Sequence, residues 1–310
     1  IRSDQDYLKA GETAKITFIL SESSTDFTLS DIEVTGGTLA EFSGAGDRYS
    51  AIFQPDNSST DAVVSVGSGA FSDAAGNTNN DDADPNNSVR FTIDTVSPTI
   101  AISDDDPDDS LAAGHTSTLT FTLSEPSTNF LQSDVSISGG TLSNWTAHSS
   151  SSYTAAFTPN PGSTTDGVIS VASGAFSDLA GNANNDGSDR NNTVRFTVDS
   201  LRPTIAITHD DPDHSLTTGE TSTLTFRLSE PSTDFLQSDV SVSGGTLANW
   251  TAQSSTSYTA SFSPSNNSTT DAVISVGSAA FSDLAGNANI DGSDRNNTVT
   301  LSVDTTTPSP

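Results

Sequence analysis

The chain has no cysteine and no methionine. No disulfide can staple its domains, so stability outside a cell must come from packing or bound metal. Basic residues are scarce too: 10 Lys and Arg stand against 40 Asp and Glu, a formal charge of −30. Such a surface repels nucleic-acid phosphates and anionic lipid at ordinary salt, which removes nucleic acid from the expected partners. No apolar run approaches the length of a membrane span, so membrane insertion is not expected. Ile1 opens directly into polar sequence without a signal-peptide pattern, and Pro308 to Pro310 trail off after a strand, as expected of a segment cut from a longer protein. Catalytic residues are thin as well. The four histidines (His115, His148, His209, His214) do not recur in register, and there is no thiol nucleophile. Acidic loops open to water lack the enclosure that tunes a general acid, so no enzyme is expected.

What is present is a mixture of Thr, Ser, Val, Ile, Asp, Asn and Gly, suited to short strands joined by polar turns. The length of 310 residues accommodates two or three sandwich domains, and internal repetition decides for three. Ser-Glu recurs at Glu22, Glu125 and Glu230; Gly-Gly-Thr-Leu at Gly36, Gly139 and Gly244; Phe-Ser-Asp-x-Ala-Gly-Asn at Phe71 to Asn77, Phe176 to Asn182 and Phe281 to Asn287. Each unit closes on Val-Asp or Ile-Asp at Asp94, Asp199 and Asp304, with Pro98, Pro203 and Pro308 four residues on. The spacing of about 105 residues is that of one sandwich domain. The units are 1–97, 98–202 and 203–310; the second and third match at most positions, and the first lacks the start of its opening strand.

Period-two alternation marks the strands. In the second unit the inward positions are Ile100 and Ile102; Leu119, Phe121 and Leu123; Val135 and Ile137; Tyr153, Ala155 and Phe157; Ile169 and Val171; and Val194, Phe196 and Val198, with a further strand around Leu142 to Trp145. Seven short strands predict an all-β fold of three tandem immunoglobulin-like Greek-key sandwiches in an extended rod.

Strand direction then places the loops. If successive strands alternate, the second ends at Glu125 and the sixth runs into the loop 177–192, so both lie at the amino pole. Asp178, Asn182, Asp186 and Asp189 come with that loop, while the preceding unit delivers Asp94 to the same place. The second junction repeats the set with Asp199, Glu230, Asp283 and Asn287; Glu22 and Asp73 are the counterparts at the head of the first unit. Converging carboxylates repel unless neutralised. A hard cation does this, and Ca2+ takes six to eight oxygens of the kind these loops offer. Zinc would want His or Cys in register, and magnesium keeps its waters. A further acidic run, Asp104, Asp105 and Asp106 with Asp108 and Asp109 in the second unit, and Asp210, Asp211 and Asp213 in the third, is expected at the opposite pole, joined by Asp166 and Asp271, as a second calcium class.

Each reading has a plainer rival. Asp and Asn in turns commonly bond their own backbone. Asn182, Asn184, Asp186 and Gly187 echo an EF-hand loop but lack its closing Glu. Asp134 and Asp239 read as turn caps, and Trp145 and Trp250 as core or rim packing rather than sugar platforms.

The recurring blocks resemble the bacterial immunoglobulin-like repeats of giant surface adhesins, including those exported by type I secretion with RTX repeats. The resemblance covers all three units, though the RTX nonapeptide itself is absent. It implies an extracellular, cell-surface extender: a monomeric rod whose partners are neighbouring repeats of the same chain, stiffened by calcium at the junctions, projecting a terminal adhesive domain. Near-identity of the second and third units favours this over an adhesive module gripping a glycan, a protein or ice, or an accessory module of a secreted hydrolase.

Overall fold

A computed structural model describes residues 1–57, 61–80, 85–186, 189–291 and 294–308. Three sandwiches follow one another along the chain. In the second unit one sheet has the order Gly140–Ser149, Ser152–Pro159, Ser117–Leu123, Ile100–Asp104, and the facing sheet Val135–Ser138, Gly167–Val171, Thr193–Asp199, Ser110–Ala112. The third unit repeats both sheets. The first differs in its opening strand, which is only Arg2–Ser3; its Gly37–Pro55 segment still folds back on itself, since the Phe42 and Tyr49 rings stack with centroids 5.6 Å apart. Among the described residues the only helical turns are three-residue 3-10 turns, and no helix is long and apolar enough to cross a membrane.

The alternation of apolar residues sorts them as it should. Ile100, Leu119, Phe121, Phe157, Ile169, Val171 and Phe196 are buried to 1% exposure or less, in a core that draws on both sheets. Burying each such side chain is worth about 1.5–3 kcal/mol. Trp145 packs against Phe121 and Phe130, centroids 5.2 and 5.5 Å away, on the rim of the core. Ile137 departs from the expected pattern. It sits on the edge strand Val135–Ser138, where the opposite sheet does not cover it, and is 36% exposed.

The Gly-Gly block is a steric requirement. Gly139 adopts φ +74°, and a β-carbon on Gly140 would lie 2.3 Å from the Thr158 carbonyl and 2.5 Å from the Phe157 ring. Only the missing side chain lets the strand pass so close to its neighbour.

Two expectations need correction. Among the described residues the second unit has eight strands, not seven: Ser110–Ala112 pairs in parallel with the last strand, Ser110 opposite Thr197 and Ala112 opposite Asp199. The chain therefore climbs one sheet over Ile100–Asp104, crosses the sandwich edge, and climbs the other sheet. This extra strand displaces the acidic run. Asp104, Asp105 and Asp106 lie at the lateral crossover, and the turn that reaches the pole is the one after Ala112. The alternation of the remaining strands is intact, because the crossover keeps the same direction, so Glu125 and the loop after Val171 do share the amino pole.

Candidate cation site at the domain junctions

The Phe-Ser-Asp-x-Ala-Gly-Asn block folds into a tight turn. Asp178 accepts the Asn182 N–H on Oδ1 and the Asn182 Nδ2 on Oδ2, both at 2.8 Å, and Gly181 sits at φ +88°. Asp283 and Asn287 repeat this at 2.9 and 2.8 Å, as do Asp73 and Asn77 at 2.8 Å. The turn presents an asparagine amide to the preceding unit. Asn182 Oδ1 accepts the Ala10 N–H at 2.9 Å, while its Nδ2 donates to the Asp94 carbonyl at 3.0 Å. Asn287 does the same with Ala113 and Asp199, at 2.5 and 2.9 Å. Both asparagines, expected as amide-oxygen ligands, are thus hydrogen-bonded clamps across the junction. The second contact is with the turn after Tyr7–Lys9 or Ser110–Ala112, strands too short to show alternation; the recurrence of Leu8, Leu111 and Leu216 is the signal that marks them.

Beside each clamp stand the carboxylates. Carboxylate oxygens of Asp94, Glu125 and Asp178 all lie within 4.8 Å of one another, with Asp178 buried and the other two half-buried. Burial raises the Glu125 carboxyl above its usual range, and the charges of Asp94 and Asp178 add to the effect. The Tyr7 hydroxyl is pushed up by burial and by the same two aspartates. At the second junction the raising is stronger. Burial and the charges of Asp199 and Asp283 bring Glu230 to about 7. Glu230 Oε2 is buried without a hydrogen-bond partner. At the first junction three carboxylates come together as a donor set that fits a hard cation; Asp199, Glu230 and Asp283 do not all approach within that distance, and the second junction instead shows the orphaned Glu230 oxygen.

The other expected ligands lie elsewhere. Asp186 accepts the Ile100 N–H at 2.6 Å and Asn184 Nδ2 at 3.1 Å, which anchors the first strand of its own unit. Asp189 is not beside Glu125 but lines a notch with Asp104 and Asp109. Gly187 lies outside the described residues. Asp105 accepts the Thr118 N–H at 2.6 Å and the Ser117 hydroxyl at 3.1 Å, and Asp210 does likewise with Thr223 and Ser222, at 2.7 and 3.0 Å. These hydrogen bonds hold both carboxyls below their usual range. Asp104 and Asp106 accept the N–H groups of Asp106 and Asp108, at 3.1 and 3.3 Å; Asp211 lies at the equivalent crossover of the third unit. Asp134 and Asp239 cap their turns, accepting the N–H groups of Leu131 and Leu236 at 2.8 and 2.7 Å. Glu22 and Asp73 line an open groove of about 600 Å³ at the head of the first unit, beside Phe18 and Leu20.

Solved structures similar to the chain include the Escherichia coli adhesin FdeC, at 16% identity over 97% of this chain and 95% of that one, TM-score 0.39. Invasin, a bacterial integrin-binding protein, is 14% identical over 98% of this chain and 59% of its own, TM-score 0.36. The Yersinia pseudotuberculosis adhesin InvE is 17% identical over 67% and 58%, TM-score 0.26. The chain thus spans less than two thirds of the latter two. No curated protein matches it in sequence. The family model described as bacterial Ig-like domain matches three times, over residues 1–91, 94–195 and 199–300. With three sandwiches in the structure and three matches along nearly its whole length, the chain belongs to the bacterial Ig-like domain family.

Proposed function

We propose that this chain is a non-enzymatic extender segment of a bacterial surface adhesin, made rigid outside the cell by calcium at its domain junctions. The observation that carries the reading is the meeting of Asp94 from one unit with Glu125 and Asp178 of the next, oxygens within 4.8 Å. Those three, and Asp199, Glu230 and Asp283 at the second junction, would hold the ion. Family membership and repeated domains of one design support the extender role.

The chain's own residues supply a hinge of limited play. The asparagine clamp fixes one point of each junction, and Pro98 and Pro203 narrow the backbone freedom of the linkers. A cation shared by both domains would remove the remaining freedom, since bending would separate it from one set of carboxylates. Extracellular calcium sites of about 0.1–1 mM affinity are filled at millimolar calcium and empty at cytosolic levels, so the segment would be pliable before export and stiff after it.

The test is small-angle scattering and calorimetry of the full chain in calcium and in chelator. Chelation is expected to broaden the interdomain angles and lower the melting temperature. An unchanged scattering curve and melting point would overturn the calcium reading while leaving the family assignment in place.

A further inference from the structure

Where each chain crosses from one sheet to the other, the second and third units carry equivalent notches. Asp104, Asp109, Asp189 and Arg190 line the first of these, and His209 and His214, over Thr298 to Thr300, line the second. Superposing the repeats puts His209 at the position of Asp104 and His214 at that of Asp109. The backbone does not change. Asp109 and His214 have φ of +54° and +57°, and their carbonyls accept the N–H groups of Thr197 and Ser302, at 2.8 and 2.9 Å. The exchange therefore alters donor chemistry on a constant frame, from a pair of carboxylates to a pair of imidazoles.

The two rings face each other through their nitrogens. His209 Nε2 and His214 Nδ1 are 2.9 Å apart, with ring planes inclined at 79°. Two nitrogens on one tetrahedral zinc ion, each about 2.0–2.1 Å from the metal, stand roughly 3.3 Å apart. A shift of a few tenths of an ångström, easy for the exposed His214, converts one arrangement into the other. Asp211 lies between the histidines in sequence, and its Oδ2 is buried without a hydrogen-bond partner. His209 Nδ1 is buried without one as well.

We propose that His209 and His214 form a binding site in the third unit for a divalent transition-metal ion of the imidazole-preferring class, zinc or copper(II). No described carboxylate completes a three-ligand group with the two rings, so water completes the shell. The site is separate in place and chemistry from the junctions, which offer only oxygen to a hard cation. Calcium does not compete for imidazole, so the two classes of ion fill independently.

The test is titration of the full chain with zinc chloride in millimolar calcium, followed by calorimetry, and electron paramagnetic resonance of the copper(II)-loaded chain. One equivalent of zinc is expected to bind, and copper is expected to show coupling to two nitrogens. The double variant His209→Asp with His214→Asp installs the residues that the second unit carries on the same backbone, and its melting point checks that it folds. It should bind zinc at least tenfold more weakly and lose the nitrogen coupling. A His115→Ala, His148→Ala chain, altered only in the second unit, should keep both. Zinc binding that survives the double substitution unchanged would belong to the general acidic surface and would overturn the proposal, as would a parent chain that binds no zinc.

Discussion

Asn182 and Asp94 belong to different domains, yet the side-chain amide of Asn182 donates to the Asp94 carbonyl at 3.0 Å while the Asp94 carboxylate faces Asp178, the residue that holds Asn182 in place. The clamp and the carboxylate cluster are therefore built from one turn. A motif that looks like a ligand loop is also the hydrogen-bonded bolt of the joint.

Removing the bolt separates the two functions. Asn182→Ala deletes two hydrogen bonds between units, each worth about 0.5–1.5 kcal/mol. The expected result is a first junction weakened by about 1–3 kcal/mol, with both domains folded. Spin-label distances across that junction should broaden even in saturating calcium, while those across the second junction stay narrow. Unaltered distances would mean that the clamp contributes nothing to the joint.

Acidity should act on the second junction in a particular direction. Glu230 ordinarily titrates near 4.5 but is raised to about 7 in the fold. The folded state thus favours the protonated form: the contribution is fully present below about 4.5 and is lost as pH rises through about 7. Asp234, held low by Ser282, works oppositely and loses its contribution as pH falls. In chelator the third unit and its junction should therefore lose stability between pH 4.5 and 7. Glu230→Gln should flatten that loss, as should calcium. The same slope in the variant would show that another group is responsible.

Much of this was legible in the sequence because the chain repeats itself and alternates. Leu119, Phe121 and Leu123 announced an inward face, and counting strand directions brought Glu125 beside Asp178 without coordinates. A strand of three residues is too short to alternate, and there the pattern is silent. Ser110–Ala112 offers one fully buried leucine, Leu111, and pairs in parallel across the sandwich, so only the recurrence of that leucine from unit to unit marks it. Missing it sent Asp104 and its neighbours to the wrong place and hid the turns that receive Asn182 and Asn287. The junction asparagines were read by chemistry alone, and an amide that binds calcium looks the same in sequence as one that bridges two backbones.

The double glycine offers a direct check on packing. A β-carbon at position 140 would meet the Thr158 carbonyl at 2.3 Å and the Phe157 ring at 2.5 Å, and the backbone partner cannot step aside. Gly140→Ala should cost the second unit about 1–3 kcal/mol as overpacking, seen as a lower melting transition of that unit. Gly174→Ala is a useful contrast. Nothing lies within 4 Å of its β-carbon position, so any loss there comes from φ of +79° alone.

The two junctions should differ in their need for calcium, and one side chain accounts for it. In the first unit the strand that pairs with the closing strand ends in Lys9, opposite Asp94; in the second unit the same position is Ala112, opposite Asp199. Lys9 Nζ reaches within 3.4 Å of the β-carbon position of Gly181, in the turn that carries Asp178, and also pairs with Glu12 at 3.8 Å. The Lys9 ammonium lies against the turn that carries Asp178, whereas at the second junction Arg202 is engaged with the Ala288 carbonyl at 3.5 Å and Glu230 stays raised to about 7. Chelation should therefore loosen the second junction more than the first. Lys9→Ala should bring the first to the level of the second, and Ala112→Lys should make the second less sensitive to chelator and weaken its calcium affinity several-fold, the usual effect of a like charge near a bound cation. The chain's lack of cysteine lets pairs introduced across either junction be spin-labelled without background. Equal broadening at both junctions on chelation, unchanged by either substitution, would show that Lys9 takes no part in the electrostatics of the joint.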